Sequence, residues 1–340
     1  MTVPTAPTSR TPAATPRAGT EPLEDTRLED TRLDVTRLEV TKGHGTQNDF
    51  VLVDDRAGGI DLTPALVRRL CDRRAGVGGD GVIRLVAPAH VADAPDASRT
   101  TAWFMDYRNA DGSVAQMCGN GVRVFARYAQ RLGLWDPASG PLAVGTRAGV
   151  RTVTTTTPDV GDGPWFSVDM GPVALPGGPD ALAAGGDAHV DVAGLAVTRP
   201  GLSVDVGNPH TVVVLAREDD LERADLTTAP GVEPEPVAGT NVELVVPLGE
   251  RTGADGTVVG RVRMRVHERG VGETRSCGTG AVAAAAAVRA WGGAQAPTVW
   301  LVDVPGGTVR VALRPDGGAD LAGPAVLVAD ARVDVAALPA

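Results

Sequence analysis

A chain of 340 residues, 43% hydrophobic and with 43 glycines, has the length for two domains of ordinary size, each with its own core. Its net charge of −10 works against nucleic acid and anionic membrane surfaces as partners, because both recruit basic protein surface. Three cysteines make no disulfide framework and leave at least one free thiol, and no run reaches the roughly 18 apolar residues of a membrane span. The N-terminus lacks the apolar core of a secretion signal, so a reducing cytoplasm is the expected setting.

Residues 1–22 are rich in Thr, Pro, Ala and Arg, with almost no large apolar side chain to offset ordering entropy. A five-residue tandem follows, Leu23–Arg27, Leu28–Arg32, Leu33–Arg37 and Leu38–Lys42, whose period suits neither a helical nor a strand face. Its last copy alternates and reads as the first true strand. Residues 1–35 are therefore expected to be a disordered low-complexity extension. Asn48-Asp49-Phe50 runs into a strand, and Thr63 to Leu70 reads as a helix with Thr63 as N-cap and Pro64 in its first turn. Cys71 reads as a small apolar filler. A glycine loop, residues 76–81, precedes the strand Val82–Val86 but lacks the lysine of a P-loop. The strand Trp103–Tyr107 ends at Arg108–Gly112, and strand-like stretches over 142–144, 150–156 and 165–170 follow a helix. Pro172 to Gly186 is Pro/Gly-rich and reads as a linker.

Beyond it the plan repeats. Gly207-Asn208-Pro209-His210 leads into the strand Thr211–Leu215, Asp219–Ala224 is a short helix, and Thr240-Asn241-Val242-Glu243 opens another strand. The strand Arg261–Val266 delivers His267 to Thr274 to a second cysteine turn, and strand-rich sequence runs from Thr298 to Val335. The expected division is a first half over 36–172, a second over 187–324, and a C-terminal strand over 325–340 returning to the first half.

Two cysteine segments organise this plan. Cys118-Gly119-Asn120-Gly121 and Cys277-Gly278-Thr279-Gly280 each put a thiol before a Gly-x-Gly turn and a helical run. Both thiols are expected at helix N-termini, where free N–H groups and the positive dipole end favour an anion and lower a thiol pKa. Asn48 and Asn208 lie 160 residues apart (208 − 48), Cys118 and Cys277 159 (277 − 118), and Asn109 and Glu268 159 (268 − 109). One shared offset argues for two halves of similar build with paired sites facing each other. A metal site would want more Cys and His at ligand spacing, and a redox pair usually shows Cys-x-x-Cys, absent here. Inverting a carbon stereocentre, by contrast, needs one group to take a proton from one face and another to deliver one to the opposite face. The glycines let backbone N–H groups approach a substrate carboxylate.

These segments resemble the diaminopimelate epimerase family, within the cofactor-independent two-cysteine racemase fold shared with proline racemase. The resemblance runs from about Leu38 to the C-terminus and is carried by Asn48-Asp49-Phe50, the 76–81 glycine loop, Asn109–Ser113, Met117–Arg123, Gly207–His210, Thr240–Glu243, Glu268–Thr274 and Cys277–Gly280. It implies an α/β (α+β) fold of two pseudo-symmetric domains, each a curved mixed sheet around a central helix, with the site between them. It implies interconversion of LL- and meso-diaminopimelate in lysine and peptidoglycan precursor synthesis, with no cofactor and no metal, by a homodimer. Cys118 and Cys277 would be the acid/base thiols, with His210 and Glu268 orienting the reacting end. Gly119, Asn120, Gly278 and Thr279 would cradle the reacting carboxylate, and Asn48, Asn109, Asn208, Asn241, Glu268 and Arg269 would hold the substrate. Some family members carry glutamine at the position of Gly81. The alternatives are a proline or hydroxyproline racemase-like enzyme, which would not need Asn109, Asn208, Asn241 and Arg269 together, and a non-enzymatic redox or metal-binding thiol protein.

Overall fold

The computed structural model describes residues 37–253 and 256–338; the expected extension over 1–35 lies outside the described residues. The first half carries strands β1 (Arg37–Gly45), β2 (Asn48–Asp54), β3 (Gly81–Val86), β4 (Trp103–Asn109), β5 (Leu142–Thr146), β6 (Gly149–Thr156) and β7 (Trp165–Pro172). Helix α1 (Pro64–Cys71) lies between β2 and β3, and α2 (Gly119–Arg131) between β4 and β5. The second half follows with α3 (Gly178–Ala184), β8 (Ala188–Asp191), β9 (Arg199–Asp205), β10 (Pro209–Val214), α4 (Glu218–Arg223), β11 (Gly231–Glu233), β12 (Asn241–Thr252), β13 (Val258–Glu268) and β14 (Gly272–Thr274). Then come α5 (Gly278–Gly292), β15 (Val299–Val304), β16 (Gly307–Leu313), β17 (Gly318–Pro324) and β18 (Val326–Asp334).

The two halves share one pairing scheme. From β1 to β7 consecutive strands pair antiparallel, parallel, antiparallel, parallel, antiparallel and antiparallel. The series β9, β10, β12, β13, β15, β16, β17 repeats those senses in the same order. α1 and α4 occupy matching places in the two series, as do α2 and α5. β7 pairs with β17 and joins the halves. The exchange is reciprocal: β8, which follows β7, pairs with β9, and β18, which follows β17, pairs with β1.

Each series wraps its central helix. α2 buries Val122, Val124, Phe125, Ala126 and Ala129 completely. α5 is an alanine-rich rod whose residues Ala281 to Ala287 are all buried, the pattern of a helix enclosed on every side. Both helices include the Gly-x-Gly in their first turn, where the sequence reading had placed a turn ahead of the helix. Each helical glycine costs about 1 kcal/mol against alanine, while each fully buried Val or Phe returns roughly 1.5–3 kcal/mol, so packing carries α2 despite its start. α1 begins as expected, with the Thr63 hydroxyl accepting from the Leu66 N–H at 3.1 Å.

The Pro/Gly-rich stretch read as a linker contains α3. Its glycines and proline are the reason it was missed, yet a proline in the first turn suits a helix start, and Gly185 at φ 82° closes it.

Candidate active site

Matching strand ends deliver matching side chains. β4 ends on Asn109 and β13 on Glu268; each then turns into a cysteine that caps a central helix. The Gly121 N–H points at Cys118 Sγ and the Gly280 N–H at Cys277 Sγ, both at 3.4 Å. The two helix N-termini abut. A Cβ built on Gly278 would lie 3.5 Å from the Asn120 backbone nitrogen and equally far from its side-chain oxygen.

Asn120 stitches this seam. Its Nδ2 lies 3.1 Å from the Ser276 carbonyl, 3.2 Å from Ser276 Oγ and 3.3 Å from Asn48 Oδ1. Its Oδ1 accepts from Arg123 Nη2 at 2.8 Å. Asn48 opens β2 and donates from Nδ2 to Asp80 Oδ2 at 2.7 Å, which turns its Oδ1 towards the Cys118 thiol at 3.5 Å. Asp80 and Asp49 are in turn gripped by Arg73 at 2.6 and 2.7 Å.

On the other side, Cys277 Sγ sits 3.5 Å from the Thr279 hydroxyl. His210 is enclosed between Glu243 Oε1, 2.7 Å from its Nδ1, and Asn208 Oδ1, 3.1 Å from its Nε2. Glu268 accepts from the Thr274 hydroxyl. Asn241 spends both polar ends on backbone, donating to Pro209 O at 3.0 Å and accepting from Arg269 N–H at 2.9 Å, so it staples the turn after β13 to the entrance of β10. The Arg269 guanidinium donates to Ala238 O, and Asn109 donates to Ser113 Oγ at 3.0 Å near the surface. The expected residues thus fall into two clusters that meet at the abutting helix ends, with Asn109 and Arg269 towards the outside.

The thiol electrostatics correct one expectation. Helix N-termini were expected to depress the thiol pKa values, but both are raised. Burial pushes Cys118 up to about 11, with the Glu268 charge adding to it and the Gly121 N–H and Arg123 opposing. Cys277 is held well above its usual value by burial first, then by Glu268 and Glu243. Desolvation outweighs the helix end here, because one or two N–H groups cannot replace the hydration a thiolate loses. Burial, with Glu243 adding, also raises Glu268.

Gly81 pairs with Asn109 across β3 and β4. A Cβ there would lie 2.3 Å from Arg108 O and 2.6 Å from the Tyr107 ring, so this backbone admits no side chain at the position where some family members carry glutamine. Sequence reasoning also passed over Glu243, Arg123, Asp80 and Ser276. Glu243 and Arg123 did leave a signal, each a charge inside a run that is otherwise apolar and buried, which calls for a special partner. Among the described residues, no group of three His, Cys, Asp or Glu is placed to hold a metal ion.

A family model for diaminopimelate epimerase matches residues 40–176 and 202–328, a segment in each half. The diaminopimelate epimerase of Streptomyces coelicolor is 47% identical over 303 residues, which span 87% of this chain and 95% of that protein. That of Thermobifida fusca is 46% identical over 302 residues, 87% of this chain and 98% of its own. The chain belongs to the diaminopimelate epimerase family. Solved structures extend the fold beyond it. A PhzF-family phenazine biosynthesis protein of Bacillus anthracis superposes with a TM-score of 0.59 at 16% identity, covering 87% of this chain and 99% of its own. A probable proline racemase of Agrobacterium radiobacter, with bound carbonate, gives 0.54 at 17% identity over 87% and 92%. At these identities the likeness speaks for the shared fold alone, and the epimerase family is set by the sequence matches.

Proposed function

We propose that the protein interconverts LL- and meso-diaminopimelate by proton transfer at one α-carbon, with Cys118 and Cys277 on opposite faces, in lysine and peptidoglycan precursor synthesis. The observation that carries this reading is the pair of thiols capping two central helices whose N-termini abut. A carboxylate set at that junction faces the first-turn N–H groups of Gly119, Asn120, Gly278 and Thr279, where developing negative charge is stabilised. The enclosed thiols begin protonated, so one is ready as the acid, and the substrate's own α-ammonium supplies positive charge that favours the other as thiolate. His210, held by Glu243, and Glu268, beside Cys277, orient the reacting end. Asn48, Asn208, Asn241 and Arg269 shape the binding cleft, with Asn109 at its rim.

Two reactive free thiols suit a reducing cytoplasm, and the family resemblance supports a homodimer, which light scattering on the purified protein tests. The reaction itself is tested by incubating the protein with LL-diaminopimelate in deuterated water, with no added cofactor. One deuterium enters one α-carbon as meso product forms. Two deuteriums in the meso product of the first turnovers, before back-reaction, or no incorporation until pyridoxal phosphate is supplied, refutes the two-thiol reading.

A further inference from the structure

Among the described residues, Arg123 is a buried cation without a carboxylate partner. It lies five residues after Cys118 in α2 and exposes no surface. Other buried arginines are ion-paired: Arg84 with Asp106 at 2.7 Å, and Arg147 with Asp93 at 2.7 Å. Arg123 donates from Nη2 to Asn120 Oδ1 at 2.8 Å and to Thr46 Oγ1 at 3.4 Å, while its Nε and Nη1 meet no acceptor among the described residues. Room for it is left by two glycines. A Cβ on Gly45 would come within 3.2 Å of Nη2, and one on Gly323 within 3.4 Å of Nε.

A buried charge without a counter-charge is expensive, and an apolar side chain of similar volume would serve packing alone at lower cost. The position shows what it is near. Arg123 grips the amide that spans the two helix ends, and Cys118 is the ionisable group that faces it. Around Cys118 stand Asn48 from β2, Tyr107 from β4, Glu268 from β13 and Arg123 from α2 itself. Burial keeps the Tyr107 phenol neutral and Glu268 opposes a thiolate, which leaves Arg123 as the side-chain cation that favours one.

We propose that Arg123 is a positioning residue and internal counter-ion: it locks Asn120 across the seam and offsets the negative charge that appears on Cys118 and on the reacting carboxylate. This rests on the two-thiol reading above. The role is distinct from that of the thiols, because Arg123 touches neither proton nor substrate.

The test compares the wild-type protein with Arg123→Met, which removes charge but keeps apolar bulk, and Arg123→Lys, which keeps charge. Iodoacetamide alkylation of Cys118 and Cys277 is followed separately by peptide mass spectrometry from pH 7 to 10, without substrate, beside thermal melts and steady-state kinetics. In Arg123→Met, Cys118 is alkylated about tenfold more slowly at each pH, one unit of thiol pKa, while Cys277 changes less. In the same variant kcat falls about tenfold or more with KM within about threefold, the loss expected when charge stabilisation acts in the transition state. Arg123→Lys recovers most of both. An unchanged Cys118 rate in a folded Met variant overturns the proposal, as does a Lys variant no better than Met. If the Met variant fails to fold, Asn120→Asp, which sets a carboxylate against the intact guanidinium, must slow Cys118 alkylation comparably, and no slowing overturns the proposal. Alkylation shifts of the expected size without any epimerisation of diaminopimelate leave Arg123 in its role and refute the substrate assignment instead.

Discussion

Gly121 and Gly280 occupy the same place in the two halves, three residues after each cysteine, yet alanine is predicted to be nearly neutral at the first and destabilising at the second. In a helix this change ordinarily stabilises by about 1 kcal/mol. At Gly280 the new methyl would lie 2.7 Å from Glu243 Oε1 and 3.2 Å from Cys277 Cβ. Glu243 cannot retreat, because it is fully buried and its Oε1 is held by His210 at 2.7 Å. Overpacking costs about 1–3 kcal/mol, and a displaced charge-assisted hydrogen bond about 1.5–3 kcal/mol. Against the helical gain, the net is a loss of about 1.5–5 kcal/mol together with a displaced Cys277. At Gly121 the nearest atom is the end of a flexible side chain, Ile83 Cδ1 at 3.2 Å, so Gly121→Ala should fall within about 1 kcal/mol of the wild type. Denaturant unfolding and deuterium incorporation on both variants give the comparison. A Gly280→Ala protein that is stabilised and fully active would show that Glu243 does not stand against α5 as described.

Cys118→Ala and Cys277→Ala should each lower epimerisation by at least about 100-fold, the usual scale for a positioned acid or base, with circular dichroism unchanged; a single alanine variant that still epimerises at near wild-type rate rules out the two-base route. Asp80→Ala removes the acceptor that holds the Asn48 amide at 2.7 Å, so KM should rise several-fold with a smaller change in kcat, and equal kinetics would show that the orientation of Asn48 is set elsewhere. Cys71 is pushed up to about 12 from 9.0 by burial. Between those values the unfolded chain sheds the thiol proton and the folded one keeps it, so stability is fully present below about pH 9 and is lost as pH rises towards 12. Cys71→Ala should flatten that alkaline loss, and parallel curves for the two proteins would contradict the assignment.

What was legible in the sequence was whatever depends on local pattern. A cysteine, a Gly-x-Gly and a helical run place a thiol at a helix start, and the shared offset of about 159 residues marks equivalent strand ends. Asn109 and Glu268 indeed close β4 and β13, and both cysteines cap central helices. What was not legible depends on surroundings summed in space. The thiol pKa values were misjudged because the favourable N–H is local and visible, whereas desolvation and the Glu268 charge arrive from other elements. Likewise Asp80 reaches Asn48, and Ser276 reaches Asn120, only through the fold. α3 was hidden by composition, since a proline and a glycine that begin and end a helix look the same as those of a linker.

The backbone around the two thiols is nearly symmetric, but the charges are not. Cys118 looks towards Arg123, whereas Cys277 is flanked by Glu268 and Glu243. A reversible proton transfer between two sulfurs runs best when the two thiolates are close in energy within the complex, since any gap is added to the barrier in one direction. The free protein does not meet that condition, because Glu268 opposes both thiolates, while Glu243 adds its charge against Cys277 and Arg123 favours ionisation of Cys118. On the proposed mechanism the bound amino acid makes up the difference, its α-ammonium offsetting the carboxylates near Cys277 and its carboxylate drawing on the potential of Arg123. In such a site Cys118 is the easier of the two thiols to ionise, and Cys277 holds its proton more firmly. The site works as a balanced pair only with substrate in place, and that coupling keeps two reactive thiols largely protonated while the cleft is without an amino acid.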